Sequence, residues 1–292
     1  MNKKKIFALG FFDGVHLGHQ ALLSACCQLA QLLEYVPAAV TLTLSPSAAL
    51  QNTKPNMLTT ALDRERLLQR YGMKSILLLN TDTETLSMSW QAFLEMLVDE
   101  GAAGFVCGYD YRFGRSGEGT AEKLAAWAAE RNFPCIIVPE QVMDGEKISS
   151  TRIRALIEKG DIENANRLLG HPHMFTGTVV AGQQLGRTIG IPTANLHLPD
   201  TLLTPAFGVY ACTAFVDGYV LTAVTNIGIR PTVNGEGITV ESWLPGFRGN
   251  LYGKELTLEF HKFLRPERKF NSLEELKAQI QIDAAESCKI LR

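Results

Sequence analysis

Lys5-Ile6-Phe7-Ala8-Leu9-Gly10-Phe11-Phe12-Asp13-Gly14-Val15-His16-Leu17-Gly18-His19 decides how the first half of the chain is read. Residues 5–9 form a short apolar run suited to a buried strand, and from residue 17 to 33 apolar residues recur at helical spacing. A glycine-rich turn joins them. Glycines at 10, 14 and 18 let the backbone fold tightly and approach a ligand, while the following helix points bare N–H groups and its positive dipole end outward. An anion is favoured there. His16 and His19 stand at i and i+3, so a first helical turn containing both projects both imidazoles to one side, able to donate to one polyphosphate. The bland alternative is two surface histidines beside an incidental turn. Against it, Gly10, Phe12, Asp13, Gly14, His16, Gly18 and His19 together are expected on the order of once in ten million chains of this length.

Outward from this turn, β-rich runs at 37–44, 75–79, 104–107 and 134–139 alternate with helical patterns at 61–71, 90–99 and 120–131. The alternation predicts a parallel α/β sheet with helices on both faces, whose ligands lie beyond the carboxyl ends of the strands. After Gly170-His171-Pro172 the pattern changes to short β-like runs at 177–181, 208–216, 220–226, 238–243 and 255–263. These predict a small antiparallel barrel or sandwich. A helix over 273–291 closes the chain, capped by Asn271 or Ser272. The boundary falls near 171, giving domains 1–171 and 172–292.

With 292 residues, 46% of them hydrophobic, the chain can bury two modest cores. A net charge of −2 offers no basic footprint, so nucleic acid is excluded as a partner and phosphate binding must be local. Six cysteines without a C-x-x-C pair read as reduced thiols rather than disulfides or zinc ligands. The basic-then-apolar start imitates a signal peptide, but Asp13 and His16 interrupt it, and no apolar run reaches membrane-spanning length. A cytoplasmic protein with no membrane partner is expected. Its oligomeric state, including a homo-oligomer, is left open.

Three further segments carry candidate chemistry. Gly108-Tyr109-Asp110-Tyr111-Arg112-Phe113-Gly114 follows a strand, so it faces the same crevice as the opening turn. Ile148-Ser149-Ser150-Thr151-Arg152-Ile153-Arg154 opens a helix with hydroxyls and guanidinium groups suited to a second polyphosphate clamp. Gly182-Gln183-Gln184-Leu185-Gly186-Arg187-Thr188-Ile189-Gly190-Ile191-Pro192-Thr193-Ala194-Asn195 lies in the second half. There Thr193 and Asn195 alternate in an extended segment and offer oxygens on one side to a hard cation. No Walker A pattern occurs, so kinase chemistry would need a different phosphate cradle. Each segment alone is equally an ordinary loop, a well-capped helix or a Gly/Pro turn.

Taken together, these motifs resemble those of the bacterial bifunctional riboflavin kinase/FMN adenylyltransferase family. The opening turn is similar to its G-x-F-D-G-x-H-x-G-H signature, 108–114 to G-x-D-F-x-F-G, and 148–154 to I-S-S-T-x-I-R. Residues 182–195 are similar to G-x-x-x-G-R-x-x-G-x-P-T-A-N, and Val240-Glu241, Leu251-Tyr252-Gly253-Lys254 and Phe263 to Phe270 follow in order. The resemblance implies a Rossmann-like nucleotidyltransferase domain followed by a β-barrel kinase domain with a C-terminal helix. It implies ATP, riboflavin and FMN as substrates and Mg²⁺ as cofactor. For adenylyl transfer it implies His16, His19 and Arg154 as catalytic, with Gly10, Phe12, Asp13, Gly14, Gly18, Gly108, Asp110, Phe113, Ser149, Ser150 and Thr151 around ATP and flavin. Asp13 reads as structural or metal-orienting rather than as a base. For the kinase it implies Glu241 as general base, Thr193 and Asn195 at the metal, and Gly182, Gly186, Arg187, Gly190, Tyr252 and Arg265 around the ligands.

The chain departs from the family pattern at three places. Thr43-Leu44-Ser45-Pro46-Ser47-Ala48 stands where T-F-x-P-H-P is usual, and Phe11 where Asn is common. Both predict slower or altered adenylyl transfer. Pro245-Gly246 predicts an early end to a strand the family often continues. Two other readings are a riboflavin kinase with a decayed first domain and a non-catalytic flavin-binding regulator.

Overall fold

The computed structural model describes residues 3–51, 53–182, 186, 190–232 and 235–291. Contacts divide the chain into two units, Met1–Ser150 and Thr151–Arg292.

The first unit is built on five parallel strands: β1 (Lys5–Leu9), β2 (Val36–Leu42), β3 (Ser75–Leu79), β4 (Ala102–Gly108) and β5 (Cys135–Val138), in the order β3-β2-β1-β4-β5. Ile6, Phe7, Ala8 and Leu9 are fully buried, because β1 is covered on both faces and needs no polar side. Helix α1 (Leu17–Leu32) lies against β1 and β2, with the Cys26 thiol donating to the Ile6 carbonyl at 3.2 Å. Helices α2 (Ala61–Arg70), α3 (Trp90–Asp99) and α4 (Ala121–Glu130) follow. The last two bury Phe93, Leu97, Leu124 and Trp127 against Phe7, Leu9 and Phe105. Each such side chain contributes roughly 1.5–3 kcal/mol. β2 and β4 flank β1 on opposite sides, so the order of connections reverses at β1. A crevice opens where it does so, at the carboxyl end.

The second unit begins with α5 (Ser150–Glu158) and α6 (Ile162–Leu169), which ends in a left-handed Gly170. The Asn166 amide donates to the Phe260 carbonyl at 2.8 Å and accepts from the His173 N–H at 2.7 Å, which ties α6 to the strands that follow. Those strands are β6 (His173–Val180), β7 (Thr193–His197), β8 (Gly208–Val216), β9 (Tyr219–Thr232), β10 (Gly235–Trp243) and β11 (Glu255–Arg265). They form a closed antiparallel barrel in the order β6-β7-β10-β9-β8-β11. Closure settles the choice between barrel and sandwich, since the β6–β11 pairing leaves no edge. β9 runs six residues beyond its sequence-read end because pairing with β10 carries it through Gly228 and Pro231, two residues that locally disfavour a strand. β10 ends at Trp243, just before Pro245-Gly246, and Gly246 adopts φ 80°.

Helix α7 (Leu273–Ile290) is capped by Ser272, not Asn271. The Ser272 hydroxyl accepts from the Glu275 N–H at 3.1 Å, and the Glu275 carboxylate accepts from the Asn271 N–H at 3.0 Å. Ala284 packs on Val209 and Val224, seating α7 against the outside of the barrel.

One buried cation braces the opening turn. Arg64, fully buried on α2, donates to the carbonyls of Leu42 (2.6 Å), Thr43 (3.1 Å) and Phe11 (3.4 Å), and its guanidinium lies 4.8 Å from the Phe11 ring centroid. Burial pushes its pKa down to about 10 while Asp13 opposes the shift, so it stays charged. Arg64→Leu strands these carbonyls. It is expected to destabilise the first unit by about 3 kcal/mol. Urea unfolding followed by tryptophan fluorescence checks this, and a midpoint unchanged from the parent chain would contradict it.

Candidate active sites

In the first unit, the turn after β1 adopts conformations that side chains ordinarily avoid. Phe12 and Val15 have φ of 55° and 40°, and both are fully buried. Such strain costs on the order of 1 kcal/mol each and is held by burial and by Asp13. The buried Asp13 carboxylate accepts from the N–H groups of Leu58 (2.9 Å) and Thr59 (3.1 Å) and from the Thr59 hydroxyl (3.3 Å). The Ser150 hydroxyl donates to the Asp13 carbonyl at 3.0 Å, which joins the 148–154 segment to the turn.

His16 caps α1, its Nδ1 accepting from the His19 N–H at 3.3 Å. That commits Nδ1 to the helix. The two imidazoles stack with centroids 3.7 Å apart and planes at 15°, so they do share one side. Gly18 is needed beneath them, since a Cβ there would meet the His16 ring at 3.1 Å. His19 Nδ1 is buried with no hydrogen-bond partner, an unmet polar atom beside the crevice. Burial, with the His16 and Arg64 charges adding to it, holds His19 well below the ordinary imidazole range, so it is neutral at pH 7.

Two cavities adjoin here. One, about 250 Å³, is lined by His16, Gly18, His19, Gly108, Asp110, Ser149 and Ser150. The other, about 300 Å³, is lined by Leu42, Leu79, Phe93 and Phe113, with Thr41, Thr85, Arg112 and Ser116 at its polar parts. Gly10, Phe11 and Tyr111 line both. Phe12, Asp13 and Gly14 line neither and support the turn from behind. Thr151 and Arg154 lie on α5, in the second unit.

Sequence reading missed a polar cluster at the first cavity. The Lys147 ammonium donates to the Asp110 carboxylate at 2.6 Å and to the Tyr109 hydroxyl at 2.8 Å, and lies 3.7 Å from the Glu140 carboxylate. Tyr109 in turn donates to Glu140. Lys147 closes a hairpin (Val142–Met143 with Glu146–Lys147) whose Asp144-Gly145 is a turn signal that sequence reading had available.

In the second unit, alternation along β7 buries Ala194 and Leu196 and leaves Thr193 and Asn195 on the outer face. Asn195 stands opposite Glu241 across β7–β10, and Glu241 stands opposite Asn226 across β9–β10. The three lie in one row. A cavity of about 330 Å³ between this face and α7 is lined by Thr193, Asn226, Glu241, Arg265, Glu267 and Asp283, with Phe270, Leu276 and Ile280 as apolar wall. Thr193 also lines a smaller one of about 80 Å³ with Tyr252. Gly182 is required where it stands, since a Cβ would meet the Asn195 amide at 2.5 Å. Gly186 lines the larger cavity. Gly190 adopts φ 76°. Arg187 lies outside the described residues. Arg265 is held by Asp283, with Nη2 to Oδ2 at 2.8 Å, and the Asn226 amide donates to Glu267 at 2.9 Å. Neither carboxylate was singled out from sequence. Asp283 sits eighteen residues away on α7 and gives no local signal.

Each of the two units carries its own candidate site, and the family matches define the class as a nucleotide-dependent group-transfer protein of two domains. The FAD synthetase family model matches residues 1–152, and the riboflavin kinase model matches 169–291. A bifunctional riboflavin kinase/FMN adenylyltransferase of Listeria monocytogenes is 38% identical over 283 residues, covering 96% of this chain and 90% of that protein. One from Bacillus subtilis is 35% identical, covering 98% and 92%. A crystal structure from Streptococcus pneumoniae, described as a macrolide-efflux protein, superimposes with a TM-score of 0.87 at 33% identity, covering 98% of this chain and 94% of that one. The chain belongs to the bifunctional riboflavin kinase/FMN adenylyltransferase family. Among the described residues no helix is long and apolar enough to cross a membrane.

The depressed histidines set a pH dependence. The unfolded chain takes up protons near the ordinary histidine value of 6.5, whereas folded His19 resists and His173 is pushed down by burial to about 4. Stability is therefore full above 6.5 and declines as pH falls below it. In His19→Gln this decline is expected to be shallower by up to about 1.4 kcal/mol per pH unit. Equal slopes for both chains in urea titrations would contradict the buried, neutral assignment.

Proposed function

We propose that the barrel unit phosphorylates riboflavin to FMN, that the sheet unit transfers adenylyl from ATP to FMN, and that the residues assembled at the two sites carry these reactions. Family membership supports two activities, and the presence of both matched domains favours them over a lone kinase or a non-catalytic regulator. The observation that carries the residue assignment is that each domain keeps a built site. One is the stacked histidine pair at the switch point, and the other is the Asn195–Glu241–Asn226 row facing a cavity.

In the barrel, Glu241 accepts the proton of the ribityl 5′-hydroxyl as its oxygen attacks the γ-phosphorus of ATP, and ADP leaves. The apolar wall at Phe270, Leu276 and Ile280 suits the flavin ring, while Arg265, aligned by Asp283, supplies a fixed cation at the cavity. Mg²⁺ fits at Thr193 and Asn195, since hydroxyl and amide oxygens are hard donors and Glu241 faces Asn195 across the strand pair. Bound there with the nucleotide, the ion neutralises phosphate charge.

In the sheet unit, a phosphate oxygen of FMN attacks the α-phosphorus of ATP. The bond from that phosphorus to the bridging oxygen breaks, and pyrophosphate leaves. No covalent enzyme intermediate and no general base are needed. His16, His19, Ser149 and Ser150 act by alignment and by hydrogen bonds to the phosphoryl oxygens over which charge spreads. A neutral His19 acts here as a hydrogen-bond donor through its one N–H rather than as a cation.

Purified chain incubated with riboflavin, ATP and Mg²⁺ is expected to form FMN and then FAD, followed by chromatography. Glu241→Gln is expected to lower FMN formation by about 10²–10⁴-fold while leaving FMN-to-FAD conversion, and His19→Ala to do the reverse. Loss of both activities from either substitution in folded protein would refute the two-site assignment. Accumulation of FMN alone by the unsubstituted chain would favour a decayed first domain.

A further inference from the structure

The two cavities of the sheet unit have different chemistry. The one beside the stacked histidines presents Ser149, Ser150 and Asp110, whereas its neighbour is walled by Leu42, Leu79, Phe93 and Phe113. On the proposed adenylyl-transfer reading, polyphosphate belongs in the first and the tricyclic flavin ring in the second. The flavin's phosphate must then cross the boundary between them to reach the α-phosphorus. Only Gly10, Phe11 and Tyr111 line both cavities. Of these three, glycine and phenylalanine bring no polar side-chain atom, so Tyr111 is the one with a side-chain hydrogen-bonding group.

The ring of Tyr111 is fixed. It stacks on Phe113 with centroids 5.5 Å apart and planes at 14°, and the Tyr111 N–H donates to the Gly108 carbonyl at 3.1 Å. Its hydroxyl has no hydrogen-bond partner among the described residues. Tyr109, two residues earlier, has its hydroxyl engaged by Glu140 and Lys147. A partly exposed phenol at the cavity wall is open to a ligand acceptor. Desolvation raises the Tyr111 pKa, so the proton is retained for donation.

We propose that the Tyr111 hydroxyl donates a hydrogen bond to the phosphate of FMN as it passes between the two cavities, making Tyr111 the residue that selects a phosphorylated flavin at the adenylyl-transfer site. The inference rests on the adenylyl-transfer reading. The related G-x-D-F-x-F-G pattern carries phenylalanine at this place, so Tyr111→Phe removes one oxygen and keeps the ring and its stack.

In Tyr111→Phe the KM for FMN in FAD formation is expected to rise about tenfold, with the KM for ATP unchanged. Riboflavin phosphorylation by the same chain is expected to be unchanged. Lumiflavin, which shares the flavin ring but has no ribityl phosphate, is expected to inhibit FAD formation equally in both proteins. An unaltered KM for FMN, with or without a lower kcat, overturns the inference. So does an equal weakening of lumiflavin, because a ring displaced from Phe113 would then be the cause. If the unsubstituted chain makes no FAD, the adenylyl-transfer reading falls and the inference with it.

Discussion

Asp13 is the constraint on which the first site depends. Its carboxylate is buried, and it remains tolerable there because the N–H groups of Leu58 and Thr59 and the Thr59 hydroxyl converge on it. Those bonds hold the turn through Phe12 and Val15 in left-handed geometry, and the turn in turn places His16 as cap of α1. Without that anchor the strained residues would relax and the imidazoles would lose their common direction. Arg64 completes the brace from the other side by gathering the carbonyls of Leu42, Thr43 and Phe11. Phe11 gains a partner in the same step, since its ring lies over the guanidinium that bonds its own carbonyl.

The two sites solve one problem in different ways. On the proposed reading, a chain with net charge −2 cannot draw polyphosphate by its overall field, so each site does so locally. In the sheet unit the proposed donors are a helix N-terminus and the stacked imidazoles at the end of a parallel strand. The barrel unit builds its site on a different frame. It relies on strand alternation, which puts Thr193, Asn195 and Glu241 on one outer face, and on α7 to roof that face. The Arg265–Asp283 pair links β11 to α7 and fixes a cation at the cavity. With Asp283 almost fully buried, breaking that pair would cost about 3–5 kcal/mol.

Much of this was legible in the residues because it rests on local physics. The strand at Ser75–Leu79, the helix at Trp90–Asp99 and the strand at Gly208–Val216 begin and end where hydrophobic period and capping residues place them. The parallel α/β plan of the first unit follows from alternating patterns, and the meeting of the imidazoles follows from their spacing. The extended Thr193–Asn195 segment is strand β7, as its alternation required.

Sequence by itself determined the fold class of each half and the family, because periodicity, turn glycines and motif spacing are written within a few neighbouring residues. Tertiary structure alone decided that the barrel closes, that β9 continues through Gly228 and Pro231, and that His16 caps α1 while His19 is buried and neutral. It alone brought Arg64 under Phe11, Lys147 to Asp110, Asp283 to Arg265 and Tyr111 to the boundary between two cavities. Such contacts join residues far apart in the chain, and their energies depend on burial and desolvation, which no local pattern encodes.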